Sequence, residues 1–138
     1  MRQHLRTSAA ILLSTALLCA CGKNITAINN NPAKYDGRDI TITAVVKQSL
    51  NVPKTDNQQP VILYQIDDNS SQSGKNLIWV VRGQESSQKS LMPNASHRIT
   101  VKGTVQKEQV INSRRYAPVL IEKSAQEEIP KNAPGDFG

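Results

Sequence analysis

The strongest constraint on the fold of this 138-residue chain is a series of five short segments rich in β-branched residues. The clearest of them, residues 98–106, alternates apolar and polar side chains, as a strand does when one of its faces is buried. Asn, Asp, Gly and Pro residues separate the segments. The predicted strands are residues 40–47, 61–67, 77–82, 98–106 and 116–122. Strands of this number and length predict a small all-β domain. The five-stranded Greek-key OB barrel fits best, and a half-open sandwich is the alternative.

Several features modify the strand pattern. The adjacent Val45 and Val46 interrupt the alternation, which predicts a bulge or a bend in the first strand. Residues 49–60 are a predicted loop, and residues 108–115 are a charged hairpin connection. Pro118 places the start of the fifth strand at a sheet edge, because proline has no N–H to donate.

The first twenty residues have the regions of a bacterial export signal. Arg2 and Arg6 form a basic opening without acidic residues, and residues 9–18 are an apolar run too short to span a bilayer. The string that ends the run resembles the bacterial lipobox and consists of Leu18, Cys19, Ala20 and Cys21. The resemblance implies cleavage after Ala20 and attachment of palmitate-type acyl chains at Cys21. Several acyl chains together hold a protein stably on a membrane.

The lipobox divides the chain into a signal peptide at residues 1–20 and a lipidated tether at residues 21–30. Within the tether, Ile25 and Ile28 have the spacing of one helical turn. The barrel domain is predicted over residues 31–124, and residues 125–138 form a disordered polar tail that contains prolines. Gly22, rather than Asp, follows the acylated cysteine, which favours a lipid-anchored location in the cell envelope, at the outer membrane and facing the periplasm.

The stretch Asn31-Pro32-Ala33-Lys34-Tyr35-Asp36-Gly37, followed by the first strand, resembles the opening of small secreted or lipid-anchored bacterial OB-fold proteins. These proteins are grouped with the tRNA-anticodon-binding-like OB domains. Residues 64–68, 78–81 and 99–105 resemble the same family. The resemblance implies an OB-fold binding module without catalysis, and it does not specify the ligand.

The residue inventory excludes much enzyme chemistry. Both cysteines, Cys19 and Cys21, lie near the amino terminus, and the histidines are His4 and His97. A Cys/His metal cluster, a thiol nucleophile and a Ser-His-Asp set cannot be assembled in the mature chain. We therefore predict no enzyme activity, no metal and no cofactor. His97 is interpreted as a structural residue beside a strand, and Asp67 and Asp68 as a turn with Asx capping rather than a calcium loop.

OB barrels usually bind ligands on the face of the second and third strands, between the loops that join strands one–two and four–five. Trp79 on that face is either a stacking platform or a core residue, and both interpretations stay open. Arg114 and Arg115 beside Tyr116 fit contact with a phosphate, a carboxylate or an anionic polysaccharide, or else form a solvated turn. The candidate ligand face comprises Tyr64, Trp79, Arg82, Arg114, Arg115 and Tyr116.

The favoured functional hypothesis is a lipid-anchored, non-catalytic envelope lipoprotein whose OB barrel binds a protein or an envelope polymer. The alternative is a module that binds single-stranded nucleic acid, suggested by the OB fold and a net basic charge. The formal charge of the whole chain is +6, and removal of the leader takes away two arginines. Nucleic-acid binding is disfavoured by the export signal, by the small number of aromatic residues and by the scattered positions of the basic residues.

Overall fold

The computed structural model describes residues 24–71, 74–83, 86 and 91–128. The predicted signal peptide and the lipobox lie outside the described residues. So does the predicted tail beyond Glu128.

In the part of the chain that the structure describes, two short helices precede seven strands. Asn24 caps the first helix with its side chain, which accepts a hydrogen bond from the Ala27 N–H. The elements are α1 (Ile25–Asn30), α2 (Pro32–Tyr35), β1 (Asp39–Val52), β2 (Val61–Asp67), β3 (Leu77–Arg82), β4 (Arg98–Gln106), β5 (Gln109–Ile111), β6 (Arg114–Tyr116) and β7 (Val119–Glu128).

Five of the strands close a barrel in the order β1-β2-β3-β7-β4, with β4 returning to β1. The first half of β1 pairs with β4 and its second half pairs with β2. All neighbours are antiparallel except β3 and β7, which run parallel. The closed barrel confirms the predicted small all-β fold, whereas the half-open sandwich does not form.

Three of the predicted barrel strands have the predicted bounds, and two differ. β1 extends to Val52, because residues of the predicted loop pair with β2. Its register shifts between Val46 and Gln48, which confirms the irregularity predicted there. β7 begins at Val119 and pairs with β4 as far as Glu128, so residues 125–128 belong to the barrel rather than to a disordered tail.

The predicted tether is partly a folded element. α1 lies at the end of the barrel where β2 ends and β3 begins, since the Ile25 N–H donates to Asp68 and the Asn29 amide donates to the carbonyl of Leu77. Ile25 and Ile28 are fully buried in the interior core. The helical turn predicted from their spacing is confirmed, and it plugs this end of the barrel.

Closure of the barrel depends on a glycine where β4 meets β7. Gly103 lies at a register shift between these strands. A Cβ atom at this position would lie 2.3 Å from the backbone oxygen of Ile121. Only a residue without a side chain lets the two backbones approach this closely.

Candidate functional site

The residues of the predicted ligand face lie on two different sides of the barrel wall. Tyr64 and Arg82 point into the interior and are fully buried, so they do not contact a ligand on the outer face. This corrects their assignment to that face: the barrel curves so that the inward positions of β2 and β3 are enclosed. Trp79 lies on the outer side, where its ring contacts Tyr116, and Arg114 lies over the Tyr116 ring. Arg115 lies between Arg114 and Tyr116 in the sequence, so it is on the opposite face of the hairpin.

A β-hairpin made of β5 and β6 covers part of the outer face. Its Ile111 and Tyr116 are buried in a second apolar cluster, outside the barrel interior. Trp79 packs against this cluster, and its ring lies edge-on to the Tyr116 ring with centroids 5.7 Å apart. The other members of the cluster come from the barrel wall: Val52, Val61, Leu63, Val81, Val119 and Ile121. Trp79 is partly buried, so part of the indole stays accessible beside the hairpin.

The hairpin carries exposed basic and apolar side chains. The guanidinium of Arg114 lies over the Tyr116 ring, 5.4 Å from its centroid. Arg115 pairs with Glu108 at 2.5 Å, and their side chains are 69% and 45% exposed. An exposed pair of this kind contributes little stability, so an anionic partner can replace Glu108 at low cost. Val110 pairs with Arg115 across the hairpin and is 63% exposed.

The two loops that border the outer face meet above it. The backbone N–H of Asn112, at the tip of the hairpin, donates to the Gln58 side chain in the β1–β2 loop at 3.0 Å. Asn112 and Ser113 both have positive φ angles, which suits a two-residue hairpin turn. The amide nitrogen of the Gln58 side chain and the side-chain oxygen of Gln109 are buried without a hydrogen-bond partner among the described residues. The contact between the two loops therefore leaves buried polar atoms of Gln58 and Gln109 without hydrogen bonds to the described residues.

A charged cluster lies at the far end of the barrel interior. The Arg82 Nε donates to both carboxylate oxygens of Glu122 at 3.0 Å. The Tyr64 and Ser86 hydroxyls also donate to Glu122, so this carboxylate accepts hydrogen bonds from three side chains. The Arg82 Nη1 donates to the carbonyl of Leu91 at 2.7 Å. The cluster thus joins β2, β3 and β7 to the segment that leads into β4.

Burial raises the pKa of the Tyr64 hydroxyl far above its ordinary value, and the adjacent Glu122 carboxylate adds to the effect. Tyr64 is therefore a neutral hydrogen-bond donor in the folded protein. The Arg82 guanidinium also lies over its ring, 5.1 Å from the centroid.

An open groove of about 360 Å³ lies beside the first strand of the hairpin. Its lining is polar and of mixed charge, so it does not form a continuous basic channel. The lining residues are Asp36, Gly37, Thr104, Gln106, Lys107 and Glu108.

The acidic turn and the histidine have structural roles. Asp67 accepts from the Asn69 N–H at 2.7 Å and Asp68 accepts from the Ser70 N–H at 3.0 Å, which confirms the predicted Asx capping. His97 lies 2.5 Å from Glu127, and this contact ties the start of β4 to the end of β7. No cluster of three His, Cys, Asp or Glu residues suited to a metal occurs within the described ranges.

Sequence reasoning missed Glu122 and Ser86. Glu122 occupies an inward position of β7. A charged residue at a position where the alternation places apolar ones indicates a buried partner, and this signal could have been found in the sequence. Ser86 carries no such signal, because it is a small polar residue outside the predicted strands.

Comparison with known proteins gives no assignment. No family model matches the chain, and no curated protein is significantly similar to it. Among the residues that the structure describes, no helix is long and apolar enough to cross a membrane.

Proposed function

We propose that this chain is a lipid-anchored, non-catalytic lipoprotein of the cell envelope, in which an OB-type barrel binds a protein or an envelope polymer through the β5–β6 hairpin surface. The observation that carries the proposal is the hairpin itself. It exposes Val110 and Arg115 on its outward face, while its other face carries Arg114 and Tyr116 and packs against Trp79. A surface that combines guanidinium groups, an exposed apolar side chain and an accessible aromatic edge suits a macromolecular partner that carries carboxylates.

The assignment as an OB barrel is supported by the strand order and directions. The long first strand is shared between two neighbours, and the third barrel strand runs parallel to the last. The hairpin connects the fourth and fifth barrel strands, and the loop that meets its tip connects the first and second. These are the two connections that usually border the ligand face of an OB barrel. The sequence resemblance to secreted OB-fold proteins is in agreement.

The lipid anchor at Cys21 is supported by the leader and the lipobox, which precede the folded domain by a few residues. A Cys21→Ala variant of the full chain is expected to leave the membrane fraction and to be recovered in the soluble fraction of cell envelopes. Recovery of this variant in membranes, at the level of the unchanged protein, would contradict the anchor.

The binding surface is tested by incorporating a photo-crosslinking amino acid at Val110 of the membrane-anchored protein in living cells. The matched control carries it at Lys102, an exposed position on β4 on another side of the barrel. A protein partner gives a product of discrete mass at position 110, and a polymer gives a heterogeneous product that cell-wall hydrolases degrade. The same products at both positions, or none at position 110, would contradict the proposed surface.

A further inference from the structure

The second half of β1 has one edge without a partner strand in the described part of the chain. β2 pairs with residues 45–52 on one side, whereas β4 pairs on the other side only as far as Val45. The next residue, Val46, bonds to the backbones of His97 and Ser96. Beyond it, this edge makes no other backbone hydrogen bond with the described residues. An open edge presents N–H and C=O groups that can pair with a further strand.

Exposed apolar side chains flank this edge. The large hydrophobic side chains that are exposed in the described ranges are Leu50, Leu91, Met92 and Val110. Leu50 lies on the edge strand itself and is 39% exposed, while Leu91 and Met92 are 59% and 45% exposed. Exposed apolar residues that occur together indicate a contact surface more often than scattered ones do.

The segment that carries Leu91 and Met92 is held against the barrel on both sides of the exposed pair. The Leu91 carbonyl accepts from the buried Arg82, and the Pro93 carbonyl accepts from the Ser49 hydroxyl at 2.7 Å. Successive strand residues point to opposite faces, so this segment lies on the face of β1 opposite to Leu50. The backbone of this segment is therefore held on that face, and a strand added to the edge would have apolar side chains to contact on both faces.

A lysine stands at each end of the edge. Lys47 and Lys54 are exposed, and neither makes an ion pair or a side-chain hydrogen bond with the described residues. No acidic residue lies between them in the sequence. Lys54 follows Lys47 by seven residues, a distance of about 23 Å in a fully extended chain.

We propose that this edge, which runs from Lys47 in β1 to Lys54 just beyond its end, docks an extended apolar segment of a partner protein that has an acidic residue at each end. The backbone of the segment would continue the sheet, its side chains would cover Leu50 on one face and Leu91 and Met92 on the other, and its acidic ends would pair with the lysines. A second copy of this chain fits less well, because antiparallel pairing about Leu50 brings Lys47 of one copy beside Lys54 of the other.

The test uses the purified full-length protein in detergent and two labelled, capped peptides of alternating isoleucine and threonine. One peptide has aspartate at both ends, and the other has lysine. The aspartate peptide is expected to bind about tenfold more tightly by fluorescence anisotropy, and the preference is expected to reverse in the K47E/K54E double variant. A K102E variant is the matched charge control and should keep the original preference. An L91S/M92S variant should weaken the binding of both peptides by about tenfold.

The proposal is overturned if neither peptide binds at about 1 mM, or if K47E/K54E keeps the original preference. It is also overturned if sedimentation shows a dimer that L91S/M92S dissociates, because the edge would then be occupied by a second copy. None of these readouts depends on the hairpin surface or on the lipid anchor, so they are separable from failure of the proposed function.

Discussion

The buried Arg82–Glu122 pair supports the sharpest prediction about stability. Both side chains are essentially inaccessible to solvent, at 1% and 0% exposure. Replacement of Glu122 by Gln keeps the size of the side chain and removes its charge, which leaves the Arg82 guanidinium buried without a counter-charge. Breaking a buried ion pair in this way costs about 3–5 kcal/mol in the free energy of unfolding. For a domain of about 100 residues, this corresponds to a fall in Tm of roughly 12–40 °C.

Urea unfolding monitored by circular dichroism measures this loss in the purified protein. The matched control is the R82M/E122L double variant, which removes both charges together and supplies apolar groups. It should lose less stability than E122Q, because exchange of a buried pair for apolar side chains is often close to neutral. A loss below about 1 kcal/mol for E122Q would refute the argument that an uncompensated charge dominates at this site.

Two further predictions concern the barrel. Gly103→Ala should lower the free energy of unfolding by about 3 kcal/mol, because its Cβ would overlap the Ile121 backbone oxygen. Gly83→Ala, where a Cβ meets none of the described residues within 4 Å, should change it by less than about 0.5 kcal/mol in the same urea titration. Tyr64 is neutral when protonated, and folding raises its pKa. Its contribution to the free energy of unfolding is therefore complete below the unfolded pKa of about 10 and is lost as the pH rises above that value. Urea titrations between about pH 8 and pH 11 should show this alkaline loss, which Tyr64→Phe should reduce. An equally steep loss in that variant would contradict the assignment.

The barrel strands were predictable because their signals are local. β2, β3 and β4 have the predicted bounds, since alternation or a continuous apolar run ends at turn residues in each case. The ends of β1 and β7 were not predictable in the same way. Polar residues such as Gln48 and Gln126 belong to strands because a neighbouring strand pairs with them, and that pairing is a tertiary effect.

The candidate face was only partly predictable for a related reason. Sequence reasoning placed Tyr64 and Arg82 with Trp79 because they share adjacent strands, yet side chains on neighbouring positions of a strand point to opposite faces. Burial of an arginine inside the barrel depends on Glu122, which is forty residues away in the sequence. No local pattern brings these two residues together.

The most direct test of the account is the accessibility of Trp79, because the proposed binding surface depends on this residue lying outside the barrel beside the hairpin. It is the only tryptophan, so acrylamide quenching of the purified full-length protein reports on it alone. We predict intermediate quenching in the unchanged protein. Quenching should increase in Ile111→Ala, because this change loosens the hairpin. It should not change in Leu91→Ser, which lies at the end of the barrel where β3 finishes. A tryptophan that acrylamide does not quench, or equal changes in both variants, would place Trp79 elsewhere and contradict the account.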